Sequence, residues 1–270
     1  MYSPCLKFLA GFLLLISEVA LNAQTRELRV CADPSNMPFS SREETGFENR
    51  IAALVARDLS ARLIFVWQRM GRGFVREYLN KPQCDLIIGI PANYRSVLTT
   101  SPYYRSSYVF VSKERDPVPS LNSPALHGLK IAVQVLDEEY TPPGEALARR
   151  GLQGAIVGFD TRGDGADSIV RAVADQKVDL AIVWGPLAGY FARKVGHDLR
   201  VTPVEPEVDP PGLPFTFAIS MGVRKGDLAL RDQLENILLN RGSDIRAILD
   251  EYGVPQLPLA SLASAHGVAK

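Results

Sequence analysis

The chain reads as an α/β protein of two lobes, each a mostly parallel sheet flanked by helices, with a hinge cleft between them. Short β-branched runs alternate with amphipathic helical segments, the pattern that builds parallel sheets covered by helices. Two proline-bearing stretches, 114–126 and 204–214, interrupt this series and read as connections. The segment between them has its own strand and helix succession, so it reads as a second lobe inserted into the first.

Eight strands are expected: Leu28–Ala32, Leu63–Trp67, Asp85–Ile90, Ser107–Ser112, Leu129–Val135, Ala155–Phe159, Asp179–Trp184 and Phe215–Ser220. Between the first two, Glu48–Ser60 places Ile51, Leu54, Val55 and Leu59 at helical spacing while Arg50, Arg57 and Asp58 fall elsewhere, which predicts a helix lying on a sheet. Ser168–Gln176 repeats the logic. So does Leu228–Asn240, with Leu230, Leu234, Ile237 and Leu238 on one face. The resulting division is 24–112 with 216–256 for the first lobe, 113–215 for the inserted one, and a poorly ordered tail at 257–270, rich in Ala, Ser and Leu without helical spacing.

Residues 1–23 read as a secretory signal peptide: Lys7 precedes the apolar run Phe8–Ile16, and the small residues Ala20 and Ala23 follow. Cleavage is expected after Ala23; an uncleaved anchor is the alternative, because Leu21 is larger than the usual small residue there. No later run reaches the ~20 apolar residues that span a bilayer, so no membrane span is expected after cleavage. The remainder, about 247 residues, is enough for two modest cores. The chain has 30 basic and 30 acidic residues, and the signal removes one of each, so nucleic acid is not an expected partner. Cys5 leaves with the signal. Cys31 and Cys84 remain in a compartment that permits disulfides, and a bridge between them is expected to contribute about 4 kcal/mol; two free buried thiols are the alternative.

In open α/β sheets ligands bind beyond the carboxyl ends of strands. Those loops nominate Asp33, Asn36 and Phe39, then Trp67, Tyr94 and Arg95, from the first lobe, and Gln134 and Trp184 from the second, with 160–162 also near. Phe39, Trp67, Tyr94 and Trp184 offer flat apolar faces, while Asp33, Asn36, Arg95 and Gln134 hold polar groups. Packing within a lobe is the alternative for each aromatic. No metal site or cofactor is expected: His127, His197 and His266 are far apart, and Asp160–Asp167 lacks the alternating acidic spacing of a calcium loop, with Arg171 where the terminal glutamate would stand. Asp137-Glu-Glu139 reads as a solvated charge run or a partner-facing patch. No Ser-His-Asp or Cys-His grouping suggests catalysis.

The words Leu28-Arg-Val-Cys-Ala-Asp-Pro-Ser-Asn-Met-Pro-Phe-Ser40, Gly46-Phe-Glu-Asn49, Thr100-Ser-Pro-Tyr-Tyr104, Gly222-Val-Arg-Lys-Gly-Asp227 and Ile248-Leu-Asp-Glu-Tyr-Gly253 resemble those of type II periplasmic binding proteins over nearly the whole mature chain. A narrower resemblance rests on Gly89-Ile-Pro-Ala92 with Tyr94, Tyr103-Tyr-Arg-Ser-Ser-Tyr108, Thr141-Pro-Pro143 with Ala146-Leu-Ala-Arg-Arg-Gly151, and Trp184-Gly-Pro-Leu-Ala-Gly-Tyr-Phe-Ala192. These words are similar to the binding-protein-like family encoded beside PQQ-dependent alcohol dehydrogenases, which includes the J protein of methanol-oxidation systems. The resemblance implies a periplasmic, non-catalytic protein whose partner is the dehydrogenase, or else an importer receptor that takes a small solute to an ABC permease.

Two departures from the amino-acid receptors of that superfamily bear on the ligand. Where those receptors have a carboxylate after the strand beginning Asp179-Leu-Ala-Ile-Val, Trp184 stands; an ammonium buried there without a carboxylate would be poorly compensated. Where they have Gly with Ser or Thr, this chain has Val135-Leu136-Asp137. Arg95 resembles their carboxylate-binding arginine but lies about two residues closer to Tyr103, and a surface arginine is the alternative. The expectation is an atypical cleft that does not hold common amino acids.

Overall fold

The computed structural model describes residues 26–71, 73–113, 120–136, 139–196 and 199–259. The signal segment, the tail beyond 259, His197, His266 and Asp137-Glu138 lie outside the described residues.

Among the described residues the sheet framework consists of β1 (Glu27–Ala32), β2 (Arg62–Trp67), β3 (Leu86–Pro91), β4 (Tyr104–Lys113), β5 (Ile131–Leu136), β6 (Ile156–Phe159), β7 (Leu180–Trp184), β8 (Leu199–Pro203) and β9 (Thr216–Val223). The hydrogen-bonded order is β6-β5-β7-β4-β9-β3-β1-β2, with β8 also on β4. The outer pairs β1–β2, β1–β3, β5–β6 and β5–β7 are parallel. The two long strands in the middle, β4 and β9, run antiparallel to their neighbours.

β4 divides its partners along its length. Tyr104–Ser107 pair with Ile219–Thr216 of β9, whereas Tyr108–Val111 pair with Trp184–Ala181 of β7 and Val109–Lys113 with β8. Hydrogen bonding is therefore unbroken from one end of the molecule to the other, yet the hydrophobic cores are separate. On the β1 side, Leu28, Val30, Leu86 and Ile88 pack under α1 (Phe47–Asp58) and α5 (Leu228–Glu251), while Cys31, Ile87, Leu79 and Cys84 form the opposite face. Beyond β4, Phe110, Ile131, Val133 and Ile182 pack with Leu147 of α2 (Pro142–Arg149), and Val109, Val111 and Val183 pack with Ile169 and Val173 of α3 (Ser168–Ala174) and Leu187 of α4 (Gly185–Val195). Alternate residues of one strand thus face different cores, which is why these strands read as continuous apolar runs. Cys31 and Cys84 are disulfide-bonded, with Cα atoms 5.5 Å apart.

The sequence expectations, which include no counterpart of β8, differ from the structure elsewhere too. The last helix does not end at Asn240 but runs to Glu251, because Ile245, Ile248 and Leu249 continue the buried stripe past Gly242. The burial of those three residues outweighs the roughly 1 kcal/mol that a mid-helix glycine costs. The stretch 204–214 is more than a connection: Val204 and Asp209 are buried, and Val208–Asp209 pair with Leu213–Pro214. Asp209 is held there by Arg149 and Arg150 of α2 and its end, at 2.8 and 2.5 Å. Just past 256, the Leu257 N–H still donates to the Arg105 carbonyl at 2.8 Å.

α4 docks across to the β1 side. Gly189 lies so close to the turn after α5 that a Cβ would meet the Gly253 carbonyl at 2.0 Å. Tyr190 stacks on Tyr252 at 5.6 Å, and Arg193 donates to the Asp250 carbonyl at 2.9 Å.

Candidate functional site

A cavity of about 330 Å³ opens between the two halves, in front of β4 and β9. The loop after β1 contributes Asn36 and Phe39, the loop after β2 Met70, and β3 Gly89, Ile90 and Pro91. Tyr104 and Tyr108 come from β4, Phe217 and Ile219 from β9, and Trp184 from the end of β7. The remaining group is Glu48, in the first turn of α1. A second cavity of about 410 Å³ shares Asn36 and Met70 with the first and adds Asp33, Gly71, Leu136, Glu139 and Arg162, so the two form one cleft with walls from both halves.

Local folding explains most of these positions. Asp33 is buried at 5% exposure and accepts from the Ser35 N–H at 2.9 Å and the Met70 N–H at 2.7 Å, which ties the loops after β1 and β2 together. Its carboxylate serves the backbone. Gln134 is likewise occupied, its Oε1 accepting from the Trp184 N–H at 2.6 Å and its Nε2 donating to Thr161 Oγ1 at 2.9 Å. It sets where β7 ends and thereby where Trp184 stands. The Trp184 ring meets Tyr108 and Phe217 edge-on at 5.5 and 5.8 Å, and those two rings are 6.5 Å apart, so the aromatic wall is a mutually packed trio. Burial raises the Tyr108 phenol above its ordinary value, so it stays neutral.

Of the residues nominated from sequence, the structure brings Asn36, Phe39 and Trp184 to the first cavity and Asp33 and Asn36 to the second, with Gln134 behind Trp184. Trp67, Tyr94 and Arg95 line neither. Trp67 is half-buried, stacked on Phe65 at 4.8 Å with the Arg42 guanidinium 5.8 Å from its ring. Tyr94 and Arg95 are exposed because the chain turns after β3 through Asn93 at φ +62°, with the Val97 N–H bonded back to Tyr94, so that Val97 takes the buried position.

Glu48 is a cavity residue that the strand-end pattern does not nominate. A carboxylate does stand in the cavity with Trp184, supplied from α1 and not from the strand end where receptors place theirs. Its backbone N–H donates to the Phe39 carbonyl at 2.8 Å, and its side chain rests over Gly89, where a Cβ would come within 2.0 Å of Oε1. Removal from water raises its carboxyl from an ordinary 4.5 to about 7. Phe39, Tyr104 and Phe217 also form cavity wall, and of these only Phe39 is singled out by loop position.

A larger surface cleft of about 630 Å³ at the opposite end of β1 is lined by Arg26, Arg29, Asp85 and Asp227. Its charges satisfy one another: Asp85 pairs with Arg29 at 2.8 Å and Arg224 at 3.1 Å. Among the described residues no three His, Cys, Asp or Glu side chains gather to hold a metal, and no helix is long and apolar enough to cross a membrane.

Residues 28–254 match the family model of bacterial extracellular solute-binding proteins, family 3. Protein MoxJ of Methylorubrum extorquens is 34% identical over 87% of this chain and 83% of its own. The periplasmic binding protein XoxJ of Methylobacterium extorquens AM1 superposes with a TM-score of 0.70 at 37% identity, over 86% of this chain and all of that one. MxaJ of Methlophaga aminisulfidivorans MPT gives 0.73 at 27% identity, over 85% of this chain and 100% of its own. By these matches the chain belongs to family 3 of the bacterial extracellular solute-binding proteins, among the homologues of MoxJ.

Proposed function

We propose that this protein is a periplasmic binding-protein-like accessory factor of a PQQ-dependent alcohol dehydrogenase system of the methanol type, and that it aids maturation or activation of the enzyme through protein contacts. The observation that supports this best is the similarity to MoxJ and XoxJ across nearly the whole fold. The cleft agrees with it: among the described residues no lysine or arginine lines the Trp184 cavity to receive an amino acid's carboxylate, and Arg162 in the adjoining cavity is paired with Asp160 at 2.7 Å. On this reading residues 1–23 direct export and are removed, 24–112 with 216–256 make one lobe and 113–215 the other, and the protein binds but does not catalyse. Deletion of the gene is expected to lower periplasmic dehydrogenase activity, and a tagged copy to recover the dehydrogenase from periplasmic extract. Unchanged activity with no recovery would defeat the proposal.

An importer receptor is the second reading, favoured by the 330 Å³ cavity with walls from both halves. A ligand-dependent rise in Tm, from a screen of small solutes, would distinguish it.

A further inference from the structure

We propose that the Glu48 cavity is a recognition site for a small organic cation, an amine or quaternary ammonium with apolar substituents and no carboxylate. This rests on reading the cleft as a binding site and is independent of the dehydrogenase link.

The charge inventory points to this class. Among the described residues that line the cavity, Glu48 is the one acid, no base stands with it, and the other ionisable groups are the Tyr104 and Tyr108 phenols. Among the described residues, too, the Glu48 carboxyl has no hydrogen-bond or ion-pair partner. Its place is nonetheless well determined, by the start of α1 and by the missing side chain at Gly89. A half-buried carboxylate without a partner is costly, and a ligand that brings a positive charge offsets that cost directly.

The apolar wall selects further. Tyr108, Trp184 and Phe217 stand within 5.5 to 6.5 Å of one another and set aromatic rings in the same cavity as the carboxylate. Aromatic faces with one carboxylate make a site for an ammonium whose remaining substituents are methyl or methylene groups. A neutral alcohol would gain a single hydrogen bond and leave the carboxylate's charge uncompensated. An anion would meet like charge. An amino-acid zwitterion would add a carboxylate for which the wall has no cationic partner: Arg95 lies outside it, and Arg162, in the adjoining cavity, is already paired with Asp160 at 2.7 Å.

Burial supports the same picture, since it holds the Glu48 carboxyl near 7. The titratable groups that face it are the Tyr103 and Tyr104 phenols, both pushed well up by burial and therefore neutral. Cation binding should then require ionised Glu48 and strengthen between about pH 6 and pH 8.

Calorimetric titration of the purified exported protein tests this with a matched series: 2-phenylethylammonium, 2-phenylethanol, phenylalanine and 3-phenylpropionate, with tetramethylammonium and butylammonium as smaller cations. At least one cation should bind at pH 8, the aromatic one at least tenfold more tightly than the alcohol, phenylalanine or the anion if it is the one that fits. Tetramethylammonium, whose charge does not titrate, should bind about tenfold more weakly at pH 6 than at pH 8 if it binds. Glu48→Gln should abolish cation binding. The pH series on the unmodified protein decides between the outcomes even if that variant does not fold. Alcohol binding equal to or tighter than cation binding, or cation binding untouched by Glu48→Gln or by pH, overturns the proposal while leaving the cleft a binding site. Failure of every compound overturns both.

Discussion

Replacing Glu48 by Gln should stabilise the ligand-free protein, and by an amount that depends on pH in a definite way. The carboxyl titrates near 4.5 when exposed in the unfolded chain and near 7 in the fold. A group with a raised folded pKa contributes stability that is complete below its unfolded value and is lost as pH rises through the folded one. Stability should therefore fall between about pH 4.5 and pH 7 and then level off, by about 3 kcal/mol at 1.36 kcal/mol per unit. Glu48→Gln keeps the shape and removes the titration. Its advantage over the natural protein should be under about 1 kcal/mol at pH 5 and about 3 kcal/mol at pH 8.5. The carboxylates of Asp58, Asp85, Asp160 and Asp209 are all held low, so their losses begin below pH 4 and cancel in the comparison. Urea unfolding of both proteins at the two pH values gives the difference. If the gap between them is the same at pH 5 and pH 8.5, Glu48 is hydrated like a surface acid and the argument from its burial fails.

Gly89→Ala should remove the same pH dependence without touching the acid, because the new methyl would sit 2.0 Å from Oε1 and drive the carboxylate from its place; the same urea series reads it. Replacing Cys31 and Cys84 together by Ala should lower stability by about 4 kcal/mol, from the unfolded-chain entropy of a 53-residue separation; a midpoint equal to that of the oxidised protein would refute this. Asp209→Asn should cost about 1 to 3 kcal/mol at pH 7, because a buried acid at 2% exposure leaves two arginines that are themselves partly hydrated. That penalty should shrink as pH falls below 4, since Arg150 holds the Asp209 carboxyl below its usual range and its contribution is lost on protonation.

The eight expected strands all exist, with ends within a few residues, and those covered on both faces write themselves as unbroken runs such as Leu86-Ile-Ile or Ile131-Ala-Val. β8 has no counterpart among the expected strands. It is an edge strand with no buried residue, Leu199-Arg-Val-Thr-Pro203, and its short pattern is common in loops as well. The end of α5 escapes the sequence for a different reason: Gly242 is a stop signal locally, and only the fold shows what Ile245 and Leu249 rest against. The cleft is legible where it depends on strand ends, as for Asn36, Phe39 and Trp184. It is not legible in Glu48, since an acid in the first turn of a helix has an ordinary explanation in the helix dipole. Its place against Gly89 is a contact across 41 positions of sequence, and no local pattern records it.

The closeness of Gly189 to Gly253 bears on how the molecule can move. Backbone pressed against backbone has no side chain to compress or rotate, so that spot would serve as a fulcrum if the halves move. Any motion that widens the mouth near Trp184 would turn about it, since sliding of one half along the other would break the Tyr190–Tyr252 stack and the Arg193 bond beside it. A bulky residue at 189 should push the two halves apart from behind, a change in dimensions that small-angle scattering of the variant would read.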